Sequence, residues 1–257
     1  QYPPTGALIH YYLPDSLGGE LVLEVLDEEG TVIRAFTSDE PVADSLAKRE
    51  VDMATGFVEK GYSPQLKTAA GLHRFRWDLR HTGAWHPDAR RRGRNGPVVA
   101  PGVFTVRLTA AGQALEQPLR VASDPRLLET GVTVADMEAQ EALNLRIRDL
   151  LSKALQLEKA VSEAIAGLKK AHTGEGEPAI PEELMELHRS LSTAEGRYRR
   201  PQLVDQIQYL RGMLNDAAQR PGRDAYQRMK ELEEWYESLL PAARDLLPRD
   251  RRARAVR

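Results

Sequence analysis

The residues best suited to chemistry lie in one short stretch, His81-Thr-Gly-Ala-Trp85-His86-Pro-Asp88, which runs on into Arg90, Arg91, Arg92 and Arg94. Two imidazoles and a carboxylate around an indole are the residue types of an acid–base or metal site, and a tryptophan is the type that stacks on a sugar ring. A zinc site takes three or four ligands at recurring spacing on elements that hold them rigidly. Here the frame is a Gly-, Pro- and Arg-rich loop, and no His-Glu-x-x-His pattern occurs in the chain. No metal ligand and no cofactor is therefore expected. Trp85, His81 and His86 stand as the candidate ligand-binding residues, with Trp85 either a stacking platform or, the stronger reading, a lid over the edge of a strand domain.

Other routes to catalysis are closed more firmly. The chain contains no cysteine, which excludes a thiol nucleophile, thiolate metal ligands and disulfides. It has no Gly-x-Ser-x-Gly elbow, no Walker loop and no Gly-x-Gly-x-x-Gly turn. Carboxylates are plentiful, but groups such as Glu231, Glu233 and Glu234 fall on what reads as a solvated helix face. A second arginine run, Arg249, Arg251, Arg252, Arg254 and Arg257, closes the chain. Neither run is interleaved with aromatics and the formal net charge is -2, so both read as solubilising segments rather than a nucleic-acid interface. No catalytic residue is expected.

The elements that carry these residues change character near residue 130. Before it, apolar residues recur every second position, the pattern of strands with one buried face. His73, Phe75, Trp77 and Leu79 oppose Arg74, Arg76 and Asp78; Phe104, Val106 and Leu108 oppose Thr105 and Arg107. Leu115, Gln117, Leu119 and Val121 continue the device after the loop Ala111-Gly112-Gln113. Residues 7–13, Leu21 to Val25 and residues 31–37 complete six strands, with the turn Asp27-Glu-Glu-Gly30 between two of them. Six short strands without a helical crossover predict an antiparallel sandwich. Two long loops interrupt it: 39–70, with a short helix around Val42 to Val58, and 81–101, expected to be exposed.

After residue 130 the period becomes helical. Leu143, Ile147, Leu150, Ala154, Leu157, Val161, Ala164 and Leu168 recur at alternating spacings of four and three, a seam for packing against other helices. Thr133 and Asp136 form a predicted capping box, and the helix, ending near Ala171, would be roughly 58 Å long. A second stretch from Pro181, broken near Gly196 and resuming at Pro201, and a third from Arg223 with a kink at Pro241, predict an antiparallel bundle of three or four long helices. Trp77 and Trp235 both fall in phase with apolar neighbours and are expected in the core. The predicted organisation is an Ig-like or fibronectin-like sandwich over 1–125, a helical bundle over 130–248 and a basic tail over 249–257.

The strand half reads Gly6-Ala-Leu-Ile-His-Tyr-Tyr-Leu13, Leu21-Val-Leu-Glu-Val-Leu-Asp27, Gly71-Leu-His-Arg-Phe-Arg-Trp-Asp-Leu-Arg80 and Gly96-Pro-Val-Val-Ala-Pro-Gly-Val-Phe-Thr-Val-Arg-Leu108. This order resembles the Ig-like module that follows the β-propeller in bacterial exported proteins of the sortilin-like, neuraminidase-repeat class, proteins often labelled glycosyl hydrolases. The Ig-like domain of the flagellar hook-capping protein is a looser likeness. The helical half resembles the tail of the same propeller proteins, through Gln206-Ile-Gln-Tyr-Leu-Arg-Gly-Met213, Asp224-Ala-Tyr226 and Glu231-Leu232. The resemblance implies an extracytoplasmic, periplasmic or secreted, accessory region whose partner is an N-terminal propeller of the same polypeptide. The start Gln1-Tyr2-Pro3-Pro4 is expected to continue from such a segment. The Asp box of neuraminidase repeats, Ser-x-Asp-x-Gly-x-x-x-Trp, is absent, so no hydrolase residue carries over. The expected function is a non-catalytic structural and interaction module, with a polysaccharide or protein as further partner and no nucleic acid. The alternatives are a carbohydrate-binding module built around Trp85 and a hydrolase site between the two domains. No apolar run approaches the roughly 20 residues needed to span a bilayer.

Overall fold

The computed structural model describes residues 6–39, 65–172, 177–196, 199–215 and 217–247. The predicted helix around Val42 to Val58, the turn at Gly174 and Gly176 and the basic tail from 249 lie outside the described residues. The chain divides into two compact units: Gln1–Thr82 with Val98–Asp124, and Gly83–Pro97 with Pro125–Arg257.

In the first unit, period-two alternation produces strands β1 (Ala7–Leu13), β2 (Leu21–Leu26), β3 (Val32–Thr37), β4 (Gly71–Trp77), β5 (Gly102–Ala110) and β6 (Gln113–Val121). β1 pairs antiparallel with β4, and a four-stranded antiparallel sheet has the order β3-β2-β5-β6. The inward residues of both sheets meet in one core: Tyr11 and Leu13, Leu21 to Val25 at alternate positions, Phe75 and Trp77, Phe104 and Val106. Trp77 is fully buried, sets its ring edge-on to Phe104 at 5.6 Å, and donates from Nε1 to the Arg80 carbonyl at 3.0 Å. That bond removes the penalty of burying an indole N–H without a partner. On the outer face, Glu24, Arg107 and Glu116 are cross-strand neighbours, and Arg107 pairs with both carboxylates at 3.3 and 2.7 Å. The turns are those the glycines predict. Gly30 takes φ 80°, and Ala111 with Gly112, at φ 48° and 76°, form the two-residue link of the β5–β6 hairpin.

Leu115 departs from expectation. It lies in phase with the inner residues of β6, yet it is 73% exposed. β6 is an edge strand of the larger sheet, and the opposing sheet is only two strands wide, too narrow to cover it.

The second unit contains α1 (Pro125–Glu129), α2 (Val134–Ala171), α3 (Glu182–Leu191), α4 (Leu203–Asn215) and α5 (Arg223–Leu246). The capping box at the start of α2 is formed: Thr133 Oγ1 accepts from the Asp136 amide at 3.1 Å, and the Asp136 carboxylate accepts from the Thr133 amide at 3.0 Å. Ile147, Leu157 and Val161 of the predicted seam are buried in one cluster with Leu191, Leu203, Ile207, Met229 and Leu232 from α3, α4 and α5. Among the described residues, no helix is long and apolar enough to cross a membrane.

The predicted architecture, an Ig-like sandwich followed by an antiparallel bundle of three or four long helices, needs correction. Among the described residues, the strands divide into a pair and a four-stranded sheet, and five helices range from 5 to 38 residues, with α2 and α5 alone being long. The middle stretch breaks around Gly196 as the sequence predicts, but its two parts are short helices of 10 and 13 residues rather than an element as long as α2. α3 stops at Leu191, the chain turns through Gly196 at φ 125°, and Thr193 Oγ1 accepts from the Gln202 amide at 2.8 Å just before α4 begins. Trp235 is corrected as well. Tyr236, four residues after Leu232 and seven after Met229, takes the buried position on α5, while Trp235 packs at the flank of the core.

Candidate functional site

The stretch singled out for its chemistry, residues 83–97, belongs with the helical unit. Its neck is closed by two backbone hydrogen bonds, Gly83 N–H to the Gly93 carbonyl at 2.8 Å and Gly93 N–H to the Ala84 carbonyl at 3.0 Å. Position 83 must be glycine, because a Cβ there would lie 2.0 Å from the Arg94 carbonyl oxygen. Inside the neck, Asp88 organises a turn. Its carbonyl accepts from the amides of Arg91 and Arg92, and its carboxylate accepts from the Arg90 amide at 2.9 Å and from the Arg90 guanidinium at 3.1 and 2.9 Å. These bonds to the charged form hold the Asp88 carboxyl well below its ordinary value, at about 2.

His86 stands on the same turn. The Asp88 amide donates to its Nδ1 at 3.0 Å, which leaves Nε2 as the protonated nitrogen of the neutral ring. Burial, and then the charge of Arg91, push its pKa down, with the Asp88 and Glu158 carboxylates acting the other way.

Ala84 and Trp85 fasten the loop to α2. Ala84 is buried in the helical core, and Trp85 packs against that core half-buried. The Trp85 amide donates to Ser152 Oγ at 3.0 Å, and that hydroxyl donates to the Arg148 carbonyl one turn earlier at 2.8 Å. The indole meets two cations, Arg92 at 5.3 Å and Lys159 at 5.7 Å from its centroid. Arg92 is itself held by a bond from Nε to the His86 carbonyl at 3.1 Å. Ser152 and Lys159 lie two turns apart, about 10.5 Å along the helix axis, so the amide and the ring of Trp85 grip successive points of one stripe.

Trp85 and His86 are thus brought together, whereas His81 lies buried in the other unit. The expected exposed loop over 81–101 is instead buried at Gly83, Ala84, Gly96, Pro97, Val99 and Ala100. The missed signal is on α2: Leu151 and Leu155 are buried but fall outside the four-three seam, marking a second apolar stripe.

Among the described residues, each unit holds an open groove. A groove of about 570 Å³ in the strand unit is lined by the backbone-rich segments around Gly18 and Lys67. One of about 360 Å³ between α2 and α5 is lined by Arg146, Lys153, Glu233 and Tyr236. Arg146 and Glu233 pair across it at 2.8 Å, and burial pushes the Tyr236 phenol up to about 12. The outer face of the β1–β4 pair is a further exposed surface. Tyr12 and Leu72 are cross-strand partners, 66% and 72% exposed, and the next pair is joined by Arg74 Nε donating to His10 Nε2 at 2.8 Å. Comparison with protein-family models finds no match for this chain, and comparison with curated proteins finds none.

Proposed function

We propose that this chain is a non-catalytic structural and interaction module, an accessory region of an exported bacterial β-propeller protein of the sortilin-like, neuraminidase-repeat class. The observation that carries the non-catalytic part is what Trp85, His86 and Asp88 do. Each is engaged in building the loop or fastening it to α2, through the bonds to Ser152, Arg90 and the turn amides. A general acid or base must reach the proton of a substrate, whereas the Asp88 carboxylate is clasped by Arg90 and His86 Nδ1 by a backbone amide. The exposed Tyr12–Leu72 pair supports the interaction part, since adjacent large apolar side chains on an open sheet face suit contact with another macromolecule. The assignment to a propeller protein rests on the strand and helix signatures of the sequence, and an N-terminal propeller is the partner it names. The coding sequence immediately upstream of Gln1 tests it. Repeats bearing the Asp box support the assignment, and an unrelated upstream fold contradicts it.

A further inference from the structure

The outer face of the β1–β4 pair is built from three cross-strand pairs, Leu8 with Arg76, His10 with Arg74 and Tyr12 with Leu72. Their neighbours in sequence, Tyr11, Leu13, Phe75 and Trp77, belong to the core, so this face is the one turned outward. Tyr12 and Leu72 adjoin each other at one end, both largely exposed. Beside them Arg74 donates from Nε to His10 Nε2 at 2.8 Å, a bond that holds the guanidinium on the sheet surface. The two Nη groups of Arg74 make no hydrogen bond or ion pair with a described residue. None of the six residues is a carboxylate, and Asp78, the next in phase, lies past the end of the pair.

We propose that this face docks a linear protein segment in which carboxylates flank an apolar side chain, the apolar group lying on Tyr12 and Leu72 and a carboxylate on Arg74. Charge selects the carboxylate, since the face offers guanidinium donors without counter-charge and the Nη groups present a fork that a carboxylate accepts with both oxygens. Area selects a short segment over a second copy of the chain. Two seven-residue strands about 4.8 Å apart give a face of about 24 by 10 Å in projection. A stable globular interface takes about 800 Å² from each partner, roughly three times as much. Chemistry selects protein over saccharide, because sugar hydroxyls need acceptors as well as donors and the face holds no carboxylate or amide side chain. Tyrosine and arginine are also the residue types that carry most of the energy of protein interfaces. The proposal rests on the interaction-module reading and gives the chemistry of its partner.

The test is amide NMR titration of the full chain, at constant ionic strength, with a synthetic peptide of alternating leucine and glutamate and with its analogue carrying glutamine for glutamate. The expected result is saturable shifts confined to β1 and β4 with the glutamate peptide. Binding should fall about tenfold in Arg74→Gln, the loss of a hydrogen bond to a charged group, and about as far in Tyr12→Ala, the loss of an aromatic anchor. It should be unchanged in Arg120→Gln, which removes one exposed charge from β6. Tyr12 and Arg74 are exposed, so both variants keep the fold, and circular dichroism checks that they do. Absence of saturable shifts on β1 and β4 overturns the proposal, as does equal binding of the glutamine peptide or an equal loss in Arg120→Gln. Tighter binding of a sulfated oligosaccharide at the same residues overturns the choice of protein. Any of these failures leaves the module reading standing, because that reading is tested by the upstream coding sequence and by turnover, neither of which involves this face.

Discussion

The Trp85 amide donates to Ser152 Oγ at 3.0 Å, a contact between residues 67 apart in the chain that fastens the 83–97 loop to the middle of α2. Ser152 is suited to this because its own hydroxyl proton is directed to the Arg148 carbonyl, leaving a lone pair for the amide. Ser152→Ala should therefore cost about 1 kcal/mol, the net worth of one such bond. Urea denaturation measures that loss. Trypsin provides a local readout, since Arg90, Arg91, Arg92 and Arg94 all lie in the loop. Cleavage there should accelerate in the variant, and an unchanged rate would mean that the loop is held by other contacts.

Asp88 gives a pH signature. Its carboxyl lies below the ordinary value because Arg90 and the Arg90 amide bind the charged form. The sign follows from a depressed folded-state pKa: the contribution to stability is present above 3.8 and is lost as pH falls through about 2. Carbon-detected NMR of the side-chain carboxyl should show a midpoint near 2, moving up toward 3.8 in Arg90→Ala. A midpoint already at the ordinary value in the unsubstituted protein would dissolve the turn described here.

Trp77 anchors the strand unit. Its ring is fully buried and its N–H is satisfied by the Arg80 carbonyl. Trp77→Ala should cost about 3–5 kcal/mol, the range for deleting a large buried aromatic. Thermal melting followed by near-ultraviolet circular dichroism reads this, and a transition that barely moves would refute the packing of β4.

Gln140 is the corresponding polar anchor of the helical unit. Its Nε2 donates to the carbonyls of Leu214 and Ala217, and its Oε1 accepts from the Gln219 amide at 3.1 Å, so one buried side chain closes the C-terminal end of α4. Gln140→Leu leaves those backbone groups unpaired and should cost about 1–3 kcal/mol. Amide exchange should rise at Gln219, whose partner is lost, while exchange at Ile147 in the middle of α2 stays slow.

Much of the strand unit was legible because its side chains alternate. Phe75 and Trp77, Leu21 and Leu23, and Phe104 and Val106 could be placed inward from period two alone, and the cap and length of α2 from Thr133, Asp136 and the four-three seam. Leu115 misled because periodicity gives a face and not the width of the sheet opposite. The break between α3 and α4 was legible at Gly196 and Pro201, but not that α3 is as short as Glu182–Leu191, nor that Thr193 accepts from the Gln202 amide across the break. The site was legible only as a set of residue types. Trp85 stands outside any period, and its counterpart is a serine on a helix whose second apolar stripe, Leu151 and Leu155, is masked by the stronger seam.

The proposed interaction module is expected to carry out no hydrolysis. The most direct measurement is release of chromophore by the purified chain from a panel of chromogenic glycosides and sialosides, followed over pH 4 to 8, a range chosen to cover roughly the ordinary carboxylate and histidine pKa values. No turnover above the uncatalysed rate is the expected result. Turnover that disappears on substitution of a single carboxylate, such as Asp88→Asn or Glu233→Gln, with the protein still folded, would contradict it.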